Sequence, residues 1–251
     1  MATAKEIAGC IRDAECRQTF VVAHRGNGFG VPENSAEAAR QAIRAGIPVI
    51  EVDVRYGSDY ILYCLHDHSL DRTTDHSGNL KDLAPGETMR VRLKNSRELL
   101  PSFFDIYRET QGRAVLVVDF KSDAVEYLAH WISIFGSFND VIFYVNNRAE
   151  LKSVARMKTE YPDLIVMVGI KKWSDVRLVK SMFQRYPEII SIRFPLALHR
   201  DVAFLHERGV KFFVDSLVIP PPWQYIPLKF LLTAGIDFIQ VDHPLFLKSI
   251  L

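Results

Sequence analysis

With 251 residues, 48% hydrophobic and 24% charged, the chain has the composition of a globular protein with a full-sized core, one barrel-type domain or at most two small ones. Its 31 Lys and Arg against 30 Asp and Glu leave a formal net charge of +1. No large field gathers polyanions, so neither nucleic acid nor an anionic membrane is an expected partner.

The N-terminal segment MATAKEIAGCIRDAECRQTF is interrupted by Lys5, Arg12, Asp13, Glu15 and Arg17. It is too charged for export or membrane spanning and predicts a short amphipathic helix leading into the fold. Cys10, Cys16 and Cys64 form an odd set without CxxC or Cys/His spacing, which argues against a disulfide framework or a structural zinc site. They read as small buried or half-buried residues in a reducing, cytoplasmic setting.

Eight β-branched or aromatic runs then recur between turn residues: Thr19–Ala23, Val49–Arg55, Ala114–Phe120, Val141–Val145, Leu164–Ile170, Ile189–Phe194, Lys211–Asp215 and Phe238–Asp242. Helical periodicity fills Ser35–Ala45, Val125–Phe135, Arg148–Glu160, Trp173–Arg185 and Asp201–Arg208 between them. Ser35 is placed to cap the first of these, although Ala38 lacks the carboxylate of a capping box. Several strands, such as LIVMVGI, are apolar at nearly every position, as expected when both faces are covered. Eight alternating units predict an α/β chain folded as one (β/α)8 barrel spanning 1–251, rather than an open doubly wound sheet.

Two interruptions stand out. Between Tyr56 and Leu100 the helix due after the second strand is replaced by a strand-like YILYCLH and a polar stretch, an excursion over one rim. After the seventh strand, VIPPPWQYIP (Val218–Pro227) predicts a stiff rim loop, because consecutive prolines preclude a helix interior.

Chemistry-bearing residues gather at strand ends, where a parallel barrel builds its site. Glu51 and Asp53 are two apart on a strand and share a face, and Asp119 repeats the arrangement beside Lys121. Two inward carboxylates side by side repel unless a cation lies between them. Oxygen donors without cysteine suit Mg2+ or Ca2+, with Mn2+ as a further candidate. His24 and His66 end adjoining segments, and two imidazoles can serve as acid and base in one displacement. His68, His76, His130, His199 and His206 lack such company and read as surface or supporting residues, with His243, beside Asp242, intermediate.

In chain order AHRGN, PENS, EVDV, HDHSLDRTT, DFK and GIDFIQVDHP span residues 23 to 244. This succession resembles the glycerophosphodiester phosphodiesterase family. The resemblance implies a TIM barrel acting on a small phosphodiester, with His24 and His66 as general acid and base and Glu51, Asp53 and Asp119 holding a divalent cation. It further implies that Arg25 and Lys121 contact phosphate and that Glu33 and Asn34 organise the site. The competing reading is an inactive barrel that binds a phosphorylated ligand.

Two departures from the family pattern matter. Asp119 stands where the family usually has Glu, and Phe213, Val214, Asp215 and Ser216 stand where it tends to have a Trp-Thr-Val-Asn-like segment. Loss of the indole and gain of a carboxylate imply a more polar alcohol group. A polyhydroxylated one, as in sugar phosphodiester opines of the agrocinopine type, is expected to hydrogen-bond Asp215, with Trp223 as a platform.

Overall fold

The computed structural model describes residues 2–84, 86–193, 201–215 and 225–251. Trp223, His199 and most of the proline-rich loop lie outside these residues. The chain begins with α1 (Ala4–Arg12), followed by β1 (Phe20–Ala23), α2 (Ala36–Arg44), β2 (Val49–Tyr56), β3 (Leu62–Cys64) and α3 (Phe103–Thr110). It continues through β4 (Val115–Phe120), α4 (Val125–Phe135), β5 (Val141–Val145), α5 (Arg148–Glu160), β6 (Ile165–Gly169) and α6 (Asp175–Phe183). The last part comprises β7 (Ile189–Arg193), α7 (Asp201–His206), β8 (Lys211–Asp215), α8 (Tyr225–Thr233), β9 (Phe238–Val241) and α9 (Pro244–Lys248).

Eight of these strands pair in parallel in the order β1-β9-β8-β7-β6-β5-β4-β2, and the pairing of Val22 with Val49 closes the sheet on itself. This is a TIM barrel. The short β3 is antiparallel and pairs with the last turnward residues of β2, Val54 to Tyr56, beyond the point where β1 ends.

Side chains alternate along each strand, and the two faces bury into different layers. Ile50, Val52, Val54, Leu116, Val118, Phe143 and Val145 face the helices. Phe20, Val22, Val49, Val115, Val117, Ile142, Met167, Phe213 and Phe238 fill the barrel interior. The helix α1 closes the lower mouth, packing Ala4, Ile7, Ala8 and Ile11 onto that interior. Thr3 and Glu6 form a reciprocal capping box that fixes its start.

Cys10, in the last turn of this helix, is joined by a disulfide to Cys16 just after it, while Cys64 is free and buried. The reading of the first two cysteines as unpaired is therefore corrected, and a reducing setting loses its support from them. The turn at Asp13 to Cys16 brings the two together, a local geometry that composition does not carry. Of the histidines read as surface or supporting residues, His206 is not on the surface: it is buried and pairs with Asp237 at 2.7 Å. Lys211 lies beside the same carboxylate and donates to the Cys16 carbonyl at 2.5 Å. Among the described residues no helix is long and apolar enough to cross a membrane.

The excursion delays the second barrel helix rather than replacing it, since α3 follows, capped by Ser102 and Asp105. A small core of Tyr63, Leu65, Leu70, Leu80, Val91, Leu93 and Leu100 holds the excursion together. It also supplies what α2 lacks. Ser35 caps α2 as expected, and the Glu98 carboxylate accepts from the Ala36 backbone N–H at 2.6 Å, standing in for the absent capping-box acid.

Candidate active site

Along the inward face of each strand the residues change from apolar to polar toward the upper mouth. On β2 the succession is Val49, Glu51, Asp53, Arg55; on β4 it is Val115, Val117, Asp119 and then Lys121. Shorter successions end at Tyr144, Ser191, Asp215 and Gln240. These residues and His24, Arg25, His66 and Phe213 line a cavity of about 240 Å³.

Asp53 and Asp119 are register partners on neighbouring strands, which sets their carboxylates side by side. One oxygen from each of Glu51, Asp53 and Asp119 lies within 4.8 Å of the other two. Burial pushes the Glu51 carboxyl well above the usual range, and the charges of Asp53 and Asp119 add to the shift. Asp119 is also raised, first by burial, with Lys121 opposing. The Lys121 ammonium sits 2.7 Å from Asp119 and 3.1 Å from Asp53, and their attraction outweighs the cost of burial to raise its pKa. Even so, Asp119 Oδ1 is buried without a hydrogen-bond partner. Three hard donors, two buried and the third half-buried with one oxygen orphaned, fit a divalent cation of the Mg2+ or Ca2+ type.

The cluster is braced from behind. Asn34, held at φ +53°, donates its amide to Asp53 Oδ2 at 2.9 Å, and its carbonyl accepts from the Asp53 backbone N–H at 3.0 Å. Arg25 also adopts a left-handed conformation, φ +52°, which turns its backbone N–H to Glu51 at 2.9 Å. Its Nε lies 3.1 Å from Asp53 but is misaligned for a hydrogen bond, while its other end pairs with Glu33 at 2.9 Å.

Each imidazole is oriented by a carboxylate. His24 Nδ1 is 2.8 Å from Asp242, leaving Nε2 3.9 Å from Glu51. His66 Nδ1 is 2.7 Å from Asp67. Arg72 then ties the two sides of the mouth: it forks onto both Glu33 oxygens at 2.8 and 2.9 Å and reaches Asp67 at 2.5 Å. Arg55, the next inward residue of β2, donates to the carbonyls of His66 and Lys121 and meets His68.

Of the residues singled out from sequence, the structure brings His24, Arg25, Glu51, Asp53, His66, Asp119, Lys121 and Asp215 to one cavity, with Glu33 and Asn34 behind it. Arg55, Arg72, Tyr144, Ser191 and Gln240, and the orienting roles of Asp67 and Asp242, were not anticipated. Continuing the two-residue alternation along each strand would have found Tyr144, Ser191 and Gln240. A larger groove of about 670 Å³ lies between the excursion and α3, but its carboxylates, Glu98 and Asp105, are engaged as helix caps.

A family model described as "Glycerophosphoryl diester phosphodiesterase family" matches residues 24–109. A glycerophosphodiester phosphodiesterase of Caldanaerobacter subterraneus is 27% identical over 244 residues, covering 90% of this chain and 95% of that one. The chain is thus similar in sequence to glycerophosphodiester phosphodiesterases, and to their family model over residues 24–109. Those relatives are phosphoric diester hydrolases. A solved glycerophosphoryl diester phosphodiesterase from Parabacteroides distasonis shares its fold, with a TM-score of 0.83, 20% identity, and 99% of this chain and 91% of that one covered. A phosphodiesterase from Oleispira antarctica, solved with the product sn-glycerol-3-phosphate, matches with a TM-score of 0.74 and 20% identity over 94% of this chain and 98% of that one. The matched span of the family model runs from His24 through α3 and so contains both imidazoles, Glu51 and Asp53.

Proposed function

We propose that this protein hydrolyses a small glycerophosphodiester or sugar phosphodiester to an alcohol and a phosphomonoester, with a divalent cation held by Glu51, Asp53 and Asp119. The observation that carries the reading is that these acids share one cavity with two carboxylate-oriented imidazoles, Arg25 and Lys121. A barrel that only bound a phosphorylated ligand would need the cations but not the paired imidazoles.

When bound, the cation draws charge from the phosphoryl oxygens, Mg2+ or Ca2+ being the first candidates and Mn2+ the next. Arg25 and Lys121 supply the remaining positive charge where negative charge develops. One of His24 and His66 takes the proton from the attacking hydroxyl, of water or of the substrate itself. The other donates a proton to the departing alkoxide as the P–O bond breaks. Asp242 and Asp67 hold each Nδ1, so each Nε2 is left for this exchange. Glu33 and Asn34 position Arg25 and Asp53.

Asp215 at the mouth favours an alcohol rich in hydroxyls, and Trp223 is assigned to the same recognition, as in sugar phosphodiesters of the agrocinopine type. The test is turnover of glycerophosphodiesters and sugar phosphodiesters by purified protein with Mg2+, Ca2+ or Mn2+, with and without chelator. Cation-dependent release of a phosphomonoester, lost in His24→Ala and His66→Ala, supports the reading. Absence of turnover with every cation would leave the binding barrel.

A further inference from the structure

Beside the phosphodiester cavity the upper mouth opens into a second one of about 270 Å³. Tyr144, Ser191 and Asp215 line both, so the two communicate. The second is walled further out by Asn146, Lys171 and Arg193.

Strand alternation puts the cations there. Gly169 and Ser191 are register partners near the ends of β6 and β7, and two residues on along each chain stand Lys171 and Arg193. Gly169 keeps the passage open: a Cβ on it would come within 3.1 Å of the Tyr144 hydroxyl and 3.3 Å of Asn146 Cβ. Elsewhere at this mouth Arg25, Arg72 and Lys121 are all engaged by carboxylates. Among the described residues neither the Lys171 ammonium nor the Arg193 guanidinium has a carboxylate within 4 Å, although Arg193 is the register partner of Asp215 on β8. Two cations of different shape, one a fork and one a point charge, therefore face a cavity continuous with the reaction site without an ion pair among the described residues.

We infer that this cavity receives the alcohol end of the substrate and that Lys171 and Arg193 bind a second anionic group, a phosphomonoester, carried on that alcohol. The inference rests on the phosphodiesterase reading and narrows it: Asp215 meets the hydroxyls nearest the scissile bond, and the two cations read the charge beyond them. Charge-assisted contacts from a guanidinium and an ammonium are the means by which proteins hold such a group.

Glycerophosphoinositol and glycerophosphoinositol 4-phosphate, which differ by one phosphomonoester, make the comparison. Wild type is expected to favour the second in kcat/KM by about tenfold, mostly through KM, and the advantage shrinks as salt rises. In Lys171→Gln/Arg193→Gln the loss on the phosphorylated substrate exceeds the loss on the other by about tenfold. Equal kcat/KM in wild type, or equal losses in the variant, overturns the inference. A binding measurement stands apart from turnover: inositol 4-phosphate should bind wild type about tenfold more tightly than the double variant, whereas inositol should not distinguish them. Equal binding of inositol 4-phosphate overturns the inference even in an active enzyme. Differential binding without turnover upholds the anion site and removes the hydrolytic reading instead.

Discussion

Arg72 offers the sharpest perturbation because one guanidinium restrains both sides of the mouth. It holds Glu33, which holds Arg25, and it holds Asp67, which holds the His66 ring. Its side chain is 46% exposed, so its ion pairs contribute little to folding, about 0–1 kcal/mol each. Arg72→Met should thus cost no more than about 2 kcal/mol of stability. Activity should suffer more. Removing an orienting partner from a site residue typically costs about 10- to 100-fold, and here two residues lose theirs, so kcat/KM should fall by about 10². The loss should divide, KM rising through Arg25 and kcat falling through His66. Arg72→Lys retains a charge but cannot fork onto Glu33 while reaching Asp67, so it should recover only part of the activity. Steady-state kinetics on a glycerophosphodiester beside thermal melting of the three proteins decides the matter. Activity of Arg72→Met within threefold of wild type, or a loss matched by its loss of folded protein, would refute the reasoning.

Replacing His24 or His66 by Ala should lower kcat by about 10² with a nearly unchanged melting temperature, measured on the same substrate. Glu51→Gln should abolish activity and the cation-induced rise in melting temperature while raising that of cation-free protein at neutral pH. Its sign follows from Glu51's raised pKa: in cation-free protein the favourable contribution is present below the usual value of 4.5 and is lost as pH rises through the folded-state value. Asp67 and Glu33 have the opposite sense. A hydrogen bond from Arg72 lowers Asp67, and for Glu33 the pull of Arg72 and Arg25 overcomes the upward push of burial. Their contribution is present above the ordinary values of 3.8 and 4.5 and is lost as pH falls through the folded-state values, so Arg72→Met should flatten the acid side of the melting-temperature profile. Cys10 and Cys16, separated by six positions, close a short loop worth about 2 kcal/mol; reduction should lower the melting temperature by about 4–8 °C, read by differential scanning fluorimetry.

The strands were legible because their apolar runs are bounded by turn residues, and the eight barrel strands fall within one residue of the expected limits. Glu51 and Asp53 were legible as a pair because two-residue spacing forces one face. The α3 helix was not: its apolar residues Phe103, Ile106 and Tyr107 follow Pro101 directly in a segment of eight residues, short enough to be absorbed into the preceding loop. Nor was Arg72, whose partner Glu33 lies 39 positions away and is brought to it only by the folded excursion. His206 escaped for the same reason, since Asp237 reaches it from 31 positions on.

The barrel explains why the same strands yield both the stiffest and the most strained part of the molecule. Below the mouth the inward positions carry Val, Ile, Phe or Met, with Lys211 at the foot of β8 as an exception, and α1 seals these layers, giving a floor that moves little. One layer up, the same alternation buries Glu51 and Asp53 and sets the half-buried Asp119 beside them, so like charges are close. Folding alone would favour an apolar residue at each of these positions, since even compensated buried charges seldom outdo well-packed hydrophobic ones. Lys121 and Arg25 offset part of the repulsion, yet Asp119 keeps an oxygen without a partner. A site left incomplete in this way on a rigid floor is poised for the charge its substrate and cation bring, and local rules broken without internal compensation are where function is to be sought.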